Sequence, residues 1–126
     1  MTPYGLRTLA LNDPKFVGKC TGDSVSRDIA YHNGTIWPWL LGPFITAYLK
    51  TKGYEKTSRE YALQNLALPL FTNGIRQAGL GTLSEIYDCD SPNTPRGCIS
   101  QAWSVAEPLR AYIEDVLLVK PRLMST

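Results

Sequence analysis

A chain of 126 residues with 44% apolar side chains has room for one domain and can bury a core, which excludes global disorder. A net charge of +2 is too small for a nucleic-acid face or a polybasic membrane anchor. Cys20, Cys89 and Cys98 with a single histidine make neither an even disulfide set nor the paired spacing of a zinc site, so no metal is expected.

Residues 1–35 carry Pro3, Gly5, Pro14, Gly18, Gly22 and Gly34 without sustained periodicity and read as mostly loop. The first helix signal starts at Trp37-Pro38, since proline suits a first helical turn. Trp37, Leu40, Leu41, Phe44, Ile45 and Tyr48 then recur at helical spacing. Gly42-Pro43 is expected to kink this helix, and Gly53 to end it after Lys50 and Lys52. A second helix begins near Thr57-Ser58, with Ser58 as N-cap. Its apolar face is Leu63, Leu66, Ala67, Leu70 and Phe71, continuing to Ile75 and Ala78, with Pro69 bending or splitting it. Residues 82–98 are rich in turn formers and hold at most a hairpin, with Thr82 to Tyr87 as a short extended piece. A last helix runs from about Ser100, with Ala102, Val105, Ala106, Leu109, Ile113, Val116 and Leu117 as its buried stripe. Pro108 disturbs it locally and Pro121 closes it. This pattern predicts an all-α chain of helices joined by Gly/Pro-rich loops.

The N-terminus shows no basic stretch leading into an apolar run, and the most apolar window, Ile36 to Leu49, is too short and broken for a membrane span. Free thiols and the lack of a leader point to the cytoplasm.

Three clusters could carry chemistry. Tyr31-His32-Asn33-Gly34-Thr35-Ile36-Trp37-Pro38-Trp39 gathers two tryptophans, a tyrosine and the single histidine. Flat aromatic faces beside polar groups suit a sugar ring, which offers C–H faces and a hydroxyl rim. The same tryptophans could equally be core anchors at a helix start. Ser84-Glu85-Ile86-Tyr87-Asp88-Cys89-Asp90 offers three carboxylates for acid–base work. In an extended segment Glu85 shares a face with Leu83 and Tyr87, a setting that tends to raise a carboxyl pKa. Asp88 and Asp90 read as solvated turn carboxylates. In Pro95-Arg96-Gly97-Cys98-Ile99-Ser100-Gln101-Ala102-Trp103 a turn feeds a helix start whose donors could face a ligand, and Trp103 reads mainly as packing.

Taken in order, the Tyr31–Trp39, Leu83–Asp88, Pro95–Cys98 and Gln101–Ser104 motifs resemble the C-terminal end of the amylo-α-1,6-glucosidase domain of glycogen debranching enzymes. Thr2-Pro3-Tyr4-Gly5-Leu6-Arg7-Thr8-Leu9 and Ser26-Arg27-Asp28 share the likeness, which spans about residues 2–117. The resemblance implies an (α/α)6 barrel, of which residues 1–126 would be the C-terminal portion and most helices would be missing. It implies inverting hydrolysis of the α-1,6-linked glucose at glycogen or limit-dextrin branch points, with no cofactor, and with two carboxyl groups roughly 6.5–9.5 Å apart. By position in its motif Glu85 resembles the family's general base. His32, Trp37, Trp39 and Tyr31 fall in the sugar-binding loop, and Arg7 and Gln101 are weaker candidates for glucose contacts. The general acid lies upstream of the matched region, so the chain alone is expected to be inactive. It should pair with the missing part of the barrel or self-associate through exposed apolar faces. A non-catalytic oligosaccharide-binding fragment, or a glucoamylase-like or trehalase-like (α/α)6 glycosidase, are the alternatives.

Overall fold

A computed structural model describes residues 2–119. Four two-residue strands, β1 (Leu6–Arg7), β2 (Ile36–Trp37), β3 (Ile86–Tyr87) and β4 (Pro95–Arg96), form an antiparallel sheet in the order β1-β2-β3-β4. Leu6 lies opposite Trp37, Ile36 opposite Tyr87, and Ile86 opposite Arg96. The chain is thus a mixed helix-and-sheet fold. The expectation of an all-α chain forming part of an (α/α)6 barrel is corrected, because helices here pack around one core beside a sheet. The physical reason is strand length. Two residues carry no period-two pattern, and the partners come from segments far apart in sequence, so no local window contains the sheet. The hairpin expected within 82–98 does form, as β3 and β4.

The helices also depart from expectation in instructive ways. Helix α1 (Ser24–His32) occupies a stretch that reads as loop. The Asp23 side chain caps it by accepting the Ser26 N–H at 2.8 Å, but Ala30 is its one buried residue, so it has no apolar stripe to read. Helix α2 (Leu41–Thr51) begins later than Trp37, which is claimed by β2. Gly42-Pro43 therefore sits in the first turn, where the missing proline N–H breaks no helical bond and no kink is needed. Gly53, at φ +61°, terminates it as expected.

Helix α3 (Lys56–Ala62) starts after Glu55, whose side chain makes no capping bond, and Ser58 is buried inside it rather than at its N-cap. A wide π turn, Leu63–Ala67, follows, in which the Leu68 N–H reaches back five residues to the Leu63 carbonyl. This turn delivers Pro69 to the start of α4 (Leu68–Asn73), where it is tolerated. Helix α5 (Ala102–Ala111) contains Pro108 and runs into a second π turn, Tyr112–Val116, closed by Leu117 N–H to the Tyr112 carbonyl at 3.0 Å. Pro121 lies outside the described residues.

The core joins the sheet to the helices through Ile36, Leu41, Ile45, Leu49, Leu70, Leu83 and Tyr87, all essentially fully buried. The stripe expected on α5 is displaced. Ala102, Ala106 and Leu109 are exposed, while Ser104, Pro108 and Ala111 are buried. Close approach of α2 and α5 explains this choice of small or compact residues. A Cβ on Gly42 would sit 2.6 Å from the Glu107 carbonyl oxygen. No helix among the described residues is long and apolar enough to cross a membrane.

Tyr87 stacks on Tyr4 with ring centroids 4.7 Å apart, and its hydroxyl is buried with no hydrogen-bond partner among the described residues. The neighbouring Ser84 hydroxyl donates instead to the Ile99 carbonyl. Phenylalanine would keep the ring and remove the orphaned hydroxyl. Tyr87→Phe is therefore expected to stabilise the fold by about 1 kcal/mol, read as a rise in the urea midpoint at unchanged m.

Candidate functional site

The site is built where the end of α1, the β3–β4 hairpin and the start of α5 meet. Glu85 stands just before β3. Its backbone is tied to the loop ahead of α5, with its N–H donating to the Cys98 carbonyl at 2.9 Å. Its carboxylate is held from two sides. The Tyr31 hydroxyl, on the last turn of α1, donates to Oε1 at 2.5 Å, and the Cys98 N–H donates to Oε2 at 3.1 Å. Gly97 makes the second contact possible. Its φ is +67°, and a Cβ there would run into Oε2 of Glu85, so only glycine lets this backbone pass under the carboxylate.

Burial would push the Glu85 carboxyl pKa up. The hydrogen bonds from Tyr31 and Cys98, with smaller help from the nearby Cys98 thiol and Gln101 side chain, more than offset that and leave it below the ordinary value. The apolar setting inferred from Leu83 and Tyr87 is therefore not decisive, because donors brought in by tertiary structure outweigh it. Tyr31 moves the opposite way, its phenol raised by burial and by its bond to the Glu85 carboxylate. At neutral pH the pair is a phenol donating to an ionised carboxylate.

An open cleft of about 470 Å³ lies beside this pair, lined by Cys20, Ser24, Arg27, Asp28, Tyr31, Ile86, Arg96 and Gly97. That volume is in the range of small-molecule sites. Arg96 is fixed at its wall by Asp88, whose Oδ2 accepts from Nε and Nη2 at 3.0 Å while Oδ1 accepts the Cys20 N–H at 2.9 Å. Asp88 is only 4% exposed, so the reading of it as a solvated turn carboxylate is corrected. It is buried because it is fully paired. Asp90 does sit in an exposed turn, near Lys19 at 3.6 Å.

The remaining candidates divide. Trp37 is buried, edge-on to Tyr31 at 4.5 Å, and its Nε1–H donates to the Tyr31 carbonyl and to Thr35 Oγ1, both at 3.2 Å. Trp39 is half-buried and approaches Trp103 at 6.4 Å, and Trp37 lies 6.2 Å from Trp103. Trp103 is 46% exposed, so with half-buried Trp39 it gives an accessible aromatic pair over the buried Trp37. Gln101 caps α5 through Oε1, which accepts the Ala102 N–H at 3.0 Å. His32 sits on an exposed face with its Nε2 3.9 Å from the Asp28 carboxylate, both side chains largely in solvent. Arg7 points elsewhere, its Nε donating to Cys89 Sγ at 2.9 Å, and it does not line the cleft.

Residue-level reading missed Arg27, Asp28 and Arg96 as cleft walls and Cys98 as a backbone donor. An Asp23 cap three residues ahead of Ser26 was the available signal for α1. The backbone donor leaves no trace in side-chain type. Among the described residues no group of three or more His, Cys, Asp or Glu side chains is placed to hold a metal ion.

With a doubly held carboxylate standing beside an open cleft, the family comparison places the chain among the glycoside hydrolases. More narrowly, the chain belongs to the amylo-alpha-1,6-glucosidase family, whose model matches residues 1–110 and so includes every cleft and carboxylate residue described above. No solved structure matches it.

Proposed function

We propose that the chain supplies the water-activating half of an inverting α-1,6-glucosidase that releases glucose at the branch points of glycogen or limit dextrin. Glu85 is the general base. Its ionised carboxylate accepts a proton from water as that water attacks the anomeric carbon, while a general acid from outside residues 1–126 protonates the leaving oxygen. The observation that carries this reading is the Glu85 carboxylate kept ionised by Tyr31 and Cys98 beside the cleft, within the region matched by the family. Trp39 and Trp103 offer stacking surface for the sugar, with Trp37 buried behind Trp103, and Gln101, with Arg27 and Asp28 of the cleft, offers hydrogen-bonding groups toward its hydroxyls. His32 and Arg7 are peripheral in this scheme. Uncharged glucan also accords with a net charge of only +2. Three free cysteines favour a cytoplasmic setting.

Tryptophan fluorescence during titration with maltooligosaccharides tests the binding half. A saturable change is expected, and no change at millimolar sugar would remove the preformed sugar site. Glucose release from limit dextrin tests the other half. The 126 residues alone are expected to be inactive and to gain turnover with the acid-bearing part of the catalytic domain, releasing β-glucose first. Hydrolysis by the chain alone would overturn the assignment of the acid to another segment.

A further inference from the structure

We infer that Tyr31 is a positioning residue that fixes the orientation of the Glu85 carboxylate beside the cleft, rather than a platform for the sugar; the inference rests on the water-activating role proposed for Glu85. The bond between them, 2.5 Å, has the length of a charge-assisted O–H···O⁻ interaction. It spans 54 positions of sequence, joining α1 to the approach to β3. Its donor hydrogen is the only one the phenol has, and it is already committed to Oε1.

Tyr31 is itself held on several sides. Trp37 lies edge-on at 4.5 Å and the His32 ring edge-on at 5.0 Å. Its carbonyl accepts from Trp37 Nε1 at 3.2 Å and from Thr35 Oγ1 at 3.1 Å. The phenol is thus a donor on a fixed arm. The Cys98 N–H holds the other oxygen from the α5 side. With one donor on each oxygen the carboxylate cannot swing about its last bond without breaking both. Each oxygen of an ionised carboxylate keeps a further acceptor site for water. This division of labour explains why a tyrosine in a sugar-loop motif has its hydroxyl turned to a carboxylate.

Tyr31→Phe keeps the ring and removes only the donor. Carbon-13 NMR titration of the Glu85 carboxyl in the full 126-residue protein reads the effect without any assay of turnover. The midpoint is expected to rise in Tyr31→Phe and to fall when Tyr31 is exchanged for 3-fluorotyrosine, a more acidic and stronger donor. The second exchange also serves if the phenylalanine variant does not fold. In the enzyme completed by its acid-bearing part, kcat of Tyr31→Phe should drop about tenfold with KM within about twofold, and the acid limb of kcat/KM should move to higher pH. An unmoved Glu85 midpoint in either variant would overturn the inference. So would a raised KM with intact kcat, the signature of a lost sugar contact. Failure of the underlying reading looks different, since Glu85→Gln would then keep turnover whatever Tyr31 does to the titration.

Discussion

Glu85→Gln is expected to cut glucose release by the completed enzyme roughly 10²–10⁴-fold, the usual contribution of a positioned general base. The amide is the same size and can still accept from Tyr31 through its oxygen. It cannot take a proton from water, and its NH2 would face the Cys98 N–H, donor against donor. Binding of maltooligosaccharide, read by fluorescence, should survive. The pH dependence follows from the direction of the Glu85 shift. A carboxyl held below its ordinary value of 4.5 stays ionised through and below that pH. Turnover by the unaltered enzyme should therefore persist at pH 4.5 and fall only as the pH drops through the lower folded value. The stability that these hydrogen bonds contribute is complete above 4.5 and lost over the same descent. A coupled glucose assay across pH checks both points, and near-normal turnover by Glu85→Gln would remove this residue from the mechanism.

Asp115→Ala is expected to cost about 3 kcal/mol, seen as a fall in melting temperature of roughly 10 °C. Asp115 lies in the π turn after α5, with its side chain only 11% exposed, and three elements converge on it. Thr46 of α2 donates to Oδ2 at 2.6 Å, Tyr54 donates to Oδ1 at 3.1 Å, and Arg110 of α5 lies 3.3 Å from Oδ2. Alanine would take the acceptor from the Tyr54 hydroxyl, leave Thr46 only the weaker bond to the Gly42 carbonyl at 3.2 Å, and leave the guanidinium with Glu107 and Glu114. Asparagine should lose less, since it still accepts one of these bonds. Differential scanning calorimetry on both variants checks the order, and equal losses would show that the retained acceptor contributes nothing and that the charge carries the effect. The network also bears on the site. It clamps α2, which follows Trp39, to α5, which carries Trp103, so the tryptophan group depends on it.

Much of the helical order is legible in residue type and spacing. Of the expected α2 face, Leu41 and Ile45 are buried while Phe44 is exposed, and Leu66 and Leu70 of the second face are buried as expected. Helix ends at Gly53 and the hairpin of residues 82–98 follow from local turn chemistry. On α5 the expected stripe holds at Val116 and in part at Val105, but close helix contact buries Ser104, Pro108 and Ala111 in place of Ala106 and Leu109. Such selection depends on the partner helix, and no periodicity within one segment reveals it. Helix α1 escaped for the opposite reason, having almost nothing to bury.

The amino-acid sequence by itself determined the chemistry available. It set the carboxylate at position 85, the aromatic cluster of residues 31–39, the free thiols and the near-neutral charge, together with motifs ordered as in one glycosidase family. Tertiary structure decided how these act. It drew two-residue strands from distant loops into a sheet, carried Tyr31 to Glu85, threaded Gly97 beneath the carboxylate and turned Asp88 inward to Arg96. The physical reason is that a carboxyl group's protonation and aim are set by the donors around it. Here those donors come from segments tens of residues away, or from a backbone N–H that has no side-chain signature at all.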